Sequence, residues 1–118
     1  MSDPVAVVRA YFDAVTAGDP KAVGALFAPD AELHNAAGVL RGAAAITKMY
    51  EGGLGPGKMK PSPGPFVIDG ERVAVEIDLM ADGKPLALGD FFTIRDGKIH
   101  YLAIYSLKPV DPAFFREG

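Results

Sequence analysis

The chain contains no cysteine, so it forms no disulfide, carries out no thiol chemistry and builds no cysteine-ligated metal site. Its net charge is −3, so it lacks the excess of basic residues that binding to a nucleic acid requires. It begins with neither a basic run nor an apolar segment of signal length, and no apolar stretch is long enough to span a bilayer. We therefore expect a cytoplasmic protein with no nucleic-acid partner, no membrane partner, no cofactor and no metal.

Apolar residues are plentiful and spread along the chain. They make up 49% of the 118 residues, whereas charged residues make up 23%. This composition is typical of one folded domain with its own core, so we expect residues 1–118 to form a single domain. Helical patterns come first and strand patterns follow, an order that predicts an α+β fold with the helices covering one face of a sheet.

Two helix starts are marked by the same pair of residues. Asp3-Pro4 and Asp19-Pro20 each combine a capping side chain with a proline that suits the first helical turn. Gly18 suits the end of the first helix. Apolar residues at helical spacing give that helix one buried side, formed by Val5, Val8, Phe12 and Val15.

A short strand is predicted from Ala31 to Asn35, after the second helix. Alternate side chains of a strand share a face. Leu33 and Asn35 are therefore expected to point inward together, with Glu32 and His34 on the opposite face.

The remainder of the chain predicts one more helix, a loop and a meander. The helix covers about 42–51, and the glycine- and proline-rich residues 52–65 are expected to be mostly a loop that lines a site. Three Asp-Gly pairs are strong hairpin signals, because both turn positions tolerate positive φ. They separate predicted strands over about 65–68, 72–80, 84–95 and 98–107.

One acidic residue interrupts an apolar strand face. Asp90 alternates with large apolar residues, namely Leu86, Leu88, Phe92 and Ile94. Burying an unpaired carboxylate is costly, so the pKa of Asp90 is expected to rise and its neutral form to donate a hydrogen bond. The alternative interpretation is an Asp bonded to backbone amides or to a basic side chain.

Tyr11 and Asn35 are expected to face the same interior. The Tyr11 ring lies beside the apolar side of the first helix, and its hydroxyl needs a buried partner. Two donors that converge in an apolar cavity make an oxyanion hole, which stabilises negative charge on a ligand oxygen. Tyr11 or Asn35 alone is more often structural, but together with Asp90 they predict a site in which Tyr11 and Asp90 hold the oxygen of an enolate-like ligand.

Four segments resemble the bacterial delta-5-3-ketosteroid isomerases, which belong to the nuclear-transport-factor-2-like (NTF2-like), SnoaL-like superfamily. They read YFDAVTAGD from Tyr11, ALFAPDA from Ala25, AAITKMY from Ala44 and GDFF from Gly89, and the resemblance covers about residues 5–105. It implies a cystatin-like cone in which three N-terminal helices pack against a curved, mostly antiparallel sheet. It also implies a deep apolar pocket and a homodimer.

The resemblance further implies an activity and a role for each site residue. Members move a double bond of a 3-ketosteroid from delta-5 to delta-4 through a dienolate, without a cofactor. Tyr11 and Asp90 match the oxyanion-hole tyrosine and the protonated aspartate, and Tyr50 matches a supporting tyrosine that hydrogen-bonds to the first. The raised pKa of that aspartate is a known property of ketosteroid isomerase, so for this chain it is an implication of the resemblance.

Asn35 departs from the family pattern, because the matching residue there is the aspartate that acts as catalytic base. An amide accepts no proton at neutral pH, and a general base contributes about 10²–10⁴-fold to a rate. We therefore expect a weak or base-disabled steroid delta-isomerase. Either Asn stands in for a natural Asp, or Asn35 is native and the protein is a hydrophobic-ligand-binding module or a SnoaL-like polyketide cyclase-type enzyme. His34 is disfavoured as a substitute base because it lies on the Glu32 face.

Alternation along the last strands predicts which side chains face the pocket and which face outward. We expect the steroid-like ligand to contact Phe27, Leu33, Leu88 and Phe92. The inner face of the sheet is expected to carry Val73, Val75, Ile77 and Leu79, and the outer face Ala74, Met80, Phe91, Leu102 and Ile104. A small monomer rarely exposes so much apolar surface, which predicts a two-fold dimer through the outer face.

Overall fold

The structure is a computed structural model, and it describes residues 3–107. In this part of the chain, three helices and six strands follow one another as α1 (Pro4–Ala17), α2 (Pro20–Ala25), β1 (Phe27–Asn35), β2 (Gly38–Arg41), α3 (Ala43–Gly53), β3 (Met59–Asp69), β4 (Arg72–Ala81), β5 (Lys84–Arg95) and β6 (Lys98–Ser106). No helix between residues 3 and 107 has the length and hydropathy needed to cross a bilayer.

The strands form one sheet in the order β2-β1-β6-β5-β4-β3. The β1–β6 pair is parallel and the other pairs are antiparallel. Register shifts interrupt the β1–β6, β3–β4 and β5–β6 ladders, and such irregularities bend a sheet. The helices cover one face of this curved sheet, here called the inner face. The α+β prediction with three helices on a mostly antiparallel sheet is confirmed.

Local sequence signals explain where α1 and α2 begin and end. The Asp3 carboxylate accepts a hydrogen bond from the Val5 amide at 3.0 Å, and Asp19 accepts one from the Ala22 amide at 3.1 Å. Gly18 ends α1 with φ of 70°, a left-handed conformation that glycine adopts at little cost. Both predicted helix starts and the predicted end of α1 are confirmed.

The hairpin predictions are also confirmed. Asp82 and Asp96 adopt φ of 50° and 52°, and the glycine after each also has positive φ, so these turns follow the right-handed twist of the flanking strands. At the first Asp-Gly pair, Asp69 is the last residue of β3 and pairs with Arg72, so the turn consists of Gly70, with φ of 59°, and Glu71.

The β-structure is more extensive than the sequence predicts. β1 starts at Phe27, four residues earlier than expected, and the short β2 was not predicted. β3 starts at Met59, inside the segment expected to be mostly a loop. Its prolines are tolerated because β3 is an edge strand, where a missing amide hydrogen need not remove a bond of the ladder.

Leu102 and Ile104 lie on the inner face, so their predicted outward orientation is wrong. Leu102 is fully buried and pairs with Phe92, and Ile104 pairs with Asp90. The β5–β6 register shifts between Thr93 and Ile94, and this irregularity changes the alternation along β6. The four residues predicted on the inner face of β4 are placed as expected, with Val73, Val75 and Ile77 almost completely buried and Leu79 packed against the core.

Candidate functional site

Two tyrosines from different helices meet in the interior. Tyr11 faces inward from α1 and Tyr50 from α3, and their hydroxyl oxygens lie 2.5 Å apart. Burial raises the pKa of both phenols well above the ordinary value, so both keep their protons at neutral pH. One hydroxyl therefore donates to the other. When Tyr50 donates, the hydrogen of Tyr11 remains available to a ligand.

Asp90 is the polar exception in the core. β5 places it between Val75 of β4 and Ile104 of β6, with only 3% of its surface exposed. Its Oδ1 atom has no hydrogen-bond partner, and no ion pair joins it to a Lys or Arg within residues 3–107. Loss of hydration raises the pKa of this carboxyl to about 7, because burial disfavours its charged form. A basic partner, the alternative interpretation of an inward Asp, is not present in the described residues.

A cavity of about 440 Å³ brings these groups together with Asn35. Tyr11, Asn35, Tyr50 and Asp90 all line it, although they come from four separate elements. Much of the remaining wall is apolar and includes Phe12, Val15, Met49, Ile77, Leu88 and Ile104. A mainly apolar wall with a few convergent polar groups is the usual character of a small-molecule site.

The four residues predicted to line the pocket divide into two groups. Leu88 lines the cavity. Phe27, Leu33 and Phe92 are instead almost fully buried in the core. The rings of Phe27 and Phe92 meet the Tyr11 ring edge-on, with centroids 6.3 and 5.4 Å away. These two rings therefore contact Tyr11 from within the core.

Asn35 lies half-buried at the end of β1, where it reaches the cavity. Its Oδ1 accepts a hydrogen bond from the Ala37 amide at 2.9 Å, and its Nδ2 lies 3.7 Å from Sδ of Met49. The inward orientation predicted from strand alternation is observed. The group at this position is therefore an amide whose oxygen is already engaged.

His34 points to the other face of the sheet, as predicted. Its Nε2 lies 3.0 Å from Oε1 of Glu32, and its ring lies 5.0 Å from that of Tyr101. Neither His34 nor His100 is among the residues that line the cavity. Within residues 3–107, no group of three or more metal-ligating side chains is close enough to hold an ion.

Part of the cavity wall comes from segments where the sequence predicts no side-chain pattern. Met59 and Pro61 contribute from β3, and Ala36 and Ala37 from the turn after β1. The glycine and proline content of 52–65 did indicate a segment that lines a site. It did not indicate that the segment is a strand, because edge pairing depends on β4.

Comparisons with known proteins identify the family. The model of the SnoaL-like domain family matches residues 8–102. A steroid Delta-isomerase of Nocardioides simplex is 49% identical over 47 residues, which span 38% of this chain and 38% of that protein.

Solved structures share the fold over most of the chain. A protein from Kribbella flavida, provisionally described as a ketosteroid isomerase, superposes with a TM-score of 0.80 at 21% identity, covering 92% of this chain and 81% of that one. A protein from Sinorhizobium meliloti, provisionally described as a polyketide cyclase, superposes with a TM-score of 0.73 at 27% identity, covering 87% and 99%. The matched family model shows that the chain belongs to the SnoaL-like domain family.

Proposed function

We propose that the cavity binds an apolar, steroid-like ligand and that Tyr11 and Asp90 hold its carbonyl or enol oxygen, as in a steroid delta-isomerase. The proposal depends mainly on one observation. The hydrogen-bonded Tyr11–Tyr50 pair and the buried, unpaired Asp90 carboxyl line the same apolar cavity. Protonated Asp90 and Tyr11 supply two donors, and donors act most strongly where water is excluded.

The chemistry of such a site follows from where charge develops. When a base removes the proton between the carbonyl and the double bond of a delta-5-3-ketosteroid, the electron pair moves onto the carbonyl oxygen and gives a dienolate. Two hydrogen bonds to that oxygen stabilise the dienolate. Return of the proton to the far end of the dienolate gives the conjugated delta-4 ketone, with no net gain or loss of atoms.

Asn35 limits this reaction in the chain as it stands. By the sequence resemblance it matches the position of the base in the ketosteroid isomerases, and its amide carries no basic lone pair at neutral pH. We therefore propose strong binding of enolate-like ligands and slow turnover. The short match to a steroid Delta-isomerase supports the ligand class.

A ligand-binding module without catalysis is the second candidate function. It is favoured by the engaged Oδ1 of Asn35 and by two histidines that lie outside the cavity lining. A polyketide cyclase-type reaction, to which the Sinorhizobium meliloti neighbour points, is less supported. A histidine beside the pocket acid would serve that reaction, whereas His34 hydrogen-bonds to Glu32 on the opposite face.

Ligand binding tests the site itself. A phenolic steroid imitates the dienolate, and its titration should show binding to the unchanged chain. Loss of one hydrogen bond in Tyr11→Phe or Asp90→Leu should weaken binding about tenfold or more, since bonds to a partly charged oxygen are the stronger kind. Binding that is equal in all three proteins would overturn the proposed site.

Turnover separates the two candidate functions. Asn35→Asp should restore a base and raise the isomerisation rate of a delta-5-3-ketosteroid by about 10²–10⁴-fold, followed as conjugated-enone absorbance. Asn35→Leu is the matched control, because it removes the amide without adding a carboxylate. If the Asp variant shows no rate above buffer while the phenolic steroid still binds, the binding-module function replaces the isomerase.

A further inference from the structure

Asn35 and Asp90 lie in one row across the sheet, on its inner face. In the parallel β1–β6 pair, His34 is opposite Ala103. Continuing this register by one residue places Asn35 beside Ile104. Ile104 in turn pairs with Asp90 in the β5–β6 ladder. The two polar side chains are therefore separated by a single apolar residue, and all three line the cavity.

The orientation of the Asn35 amide is decided by the backbone. The Ala37 amide is a donor, so the side-chain atom 2.9 Å from it must be the oxygen of Asn35. The NH₂ group of Asn35 is consequently the part of the side chain that remains available to donate a hydrogen bond. Its only described contact is Sδ of Met49 at 3.7 Å, and sulfur is a weak acceptor. With one of its two hydrogens directed there, Nδ2 keeps a second hydrogen to donate.

The strand spacing limits where a ligand could meet both groups. Neighbouring strands lie about 4.8 Å apart, which puts the backbone of Asn35 and that of Asp90 roughly 10 Å from each other. Side chains from β1, β3, β4, β5 and β6 line the cavity, so the sheet curves around it and this separation is an upper limit for the two side-chain groups. Hydrogen bonds of about 2.9 Å at each end then leave at most roughly 4 Å between two ligand oxygens. Two oxygens on alternate carbons of one ligand are close enough together to meet both groups.

We infer that Asn35 is a specificity-determining residue, whose amide donates to a second oxygen of the ligand, on the next carbon but one from the oxygen held by Tyr11 and Asp90. The ligand class is then an apolar compound with two oxygens in a β-dicarbonyl, β-hydroxyketone or enol arrangement. This inference rests on the proposed oxyanion site and extends it. Asn35 contributes recognition where the related isomerases have a proton carrier.

Two small phenols test this assignment directly. β-Naphthol carries one hydroxyl, and naphthoresorcinol carries a second one meta to the first. The dissociation constants of both are measured by fluorescence titration for the unchanged chain and for Asn35→Leu. Leu removes the amide donor and, unlike a carboxylate, cannot accept a hydrogen bond from the second hydroxyl.

The unchanged chain should bind naphthoresorcinol about threefold to tenfold more tightly than β-naphthol, which is the effect of one neutral hydrogen bond. The preference, which is the ratio of the two dissociation constants, should disappear in Asn35→Leu. Comparing this ratio between the unchanged chain and Asn35→Leu also corrects for the different acidities of the two phenols.

The possible failures are distinguishable. Tight binding of β-naphthol, weakened by Tyr11→Phe but without any preference for naphthoresorcinol, would overturn the role of Asn35 and leave the oxyanion site intact. A preference that survives in Asn35→Leu would likewise overturn it. Absence of binding by both phenols would overturn the oxyanion site and this inference together.

Discussion

The hydroxyl of Tyr50 lies 2.5 Å from that of Tyr11, and both rings are buried between α1, α3 and the sheet. The two phenols therefore act as one hydrogen-bonded unit. We propose that Tyr50 orients the Tyr11 hydroxyl and that Tyr11 contacts a ligand oxygen beside Asp90. Separate roles for the two residues lead to separable effects of mutation.

Tyr50→Phe should lower the affinity for a phenolic steroid by about threefold to tenfold, less than Tyr11→Phe does, because it removes only the bond that orients Tyr11. Each single variant leaves one buried hydroxyl without its partner, at a cost of about 1–3 kcal/mol of unfolding free energy. The variant with both tyrosines replaced by Phe should lose less unfolding free energy than the two single variants lose together. Urea denaturation of the four proteins measures this coupling, and simple additivity would contradict it.

Asp90 should make the protein less stable as pH rises from about 4 to about 7. Its folded-state pKa, near 7, is higher than that of an unfolded Asp, so the folded state binds the proton more tightly. Stability from this group is therefore complete below the unfolded pKa and is lost as pH rises towards and through the folded one. The loss is on the order of 4 kcal/mol.

Asp90→Asn isolates this effect from the other carboxylates, because the amide does not titrate. As pH rises across that range, the unfolding free energy of the unchanged chain should fall relative to that of the Asp90→Asn variant. Parallel pH profiles for the two proteins would mean that the Asp90 carboxyl is ionised or paired in solution.

Gly18→Ala should destabilise the protein by at least about 1–2 kcal/mol. Gly18 has φ of 70°, which costs an L side chain about that much, and an added Cβ would overlap the carbonyl carbon of Gly55. Gly52→Ala is the matched control. It lies within α3 and an added Cβ there meets nothing within 4 Å, so helix propensity should raise stability by about 0.5–1 kcal/mol. Thermal denaturation should shift in opposite directions for the two variants.

A two-fold dimer through the outer face of the sheet remains a proposal. Val67, Phe91 and Tyr105 are 68%, 45% and 62% exposed there, and Phe91 and Tyr105 pack edge-on. Phe91→Arg should place a charge in that apolar surface and give a monomer in sedimentation. Leu86→Arg is a matched control, since Leu86 is 47% exposed but pairs with Leu79 on the inner face. A monomeric unchanged chain at micromolar concentration would exclude the dimer.

Several features of the site were predictable from the sequence because each depends on few residues. The inward direction of Asp90 follows from alternation along β5, a strand that has no irregularity before Thr93. The opposite directions of Asn35 and His34 follow from the same rule in β1. The hydrogen bond between Tyr50 and Tyr11 was implied by the family resemblance, and no local pattern could have supplied it.

Other features of the site were not predictable from alternation or composition. Phe27, Leu33 and Phe92 have the apolar character of a pocket wall, yet all three are buried in the core, where Phe27 and Phe92 pack against Tyr11, because the helices cover that part of the sheet. The inward direction of Leu102 and Ile104 depends on a register shift between β5 and β6. A shift of this kind is a property of two paired strands and leaves no signal in either one.

The sequence by itself determined the caps of α1 and α2, the hairpin turns and the inward direction of the Asp90 side chain, since each depends on residues close together in the chain. Only the tertiary structure decided that β3 is a strand, which residues of β6 are buried, and that the Asn35 oxygen is bonded to the Ala37 amide. The first two depend on partners distant in sequence, namely β4 and β5, and the third on the turn after β1, and these positions are set by packing of the whole sheet against the helices.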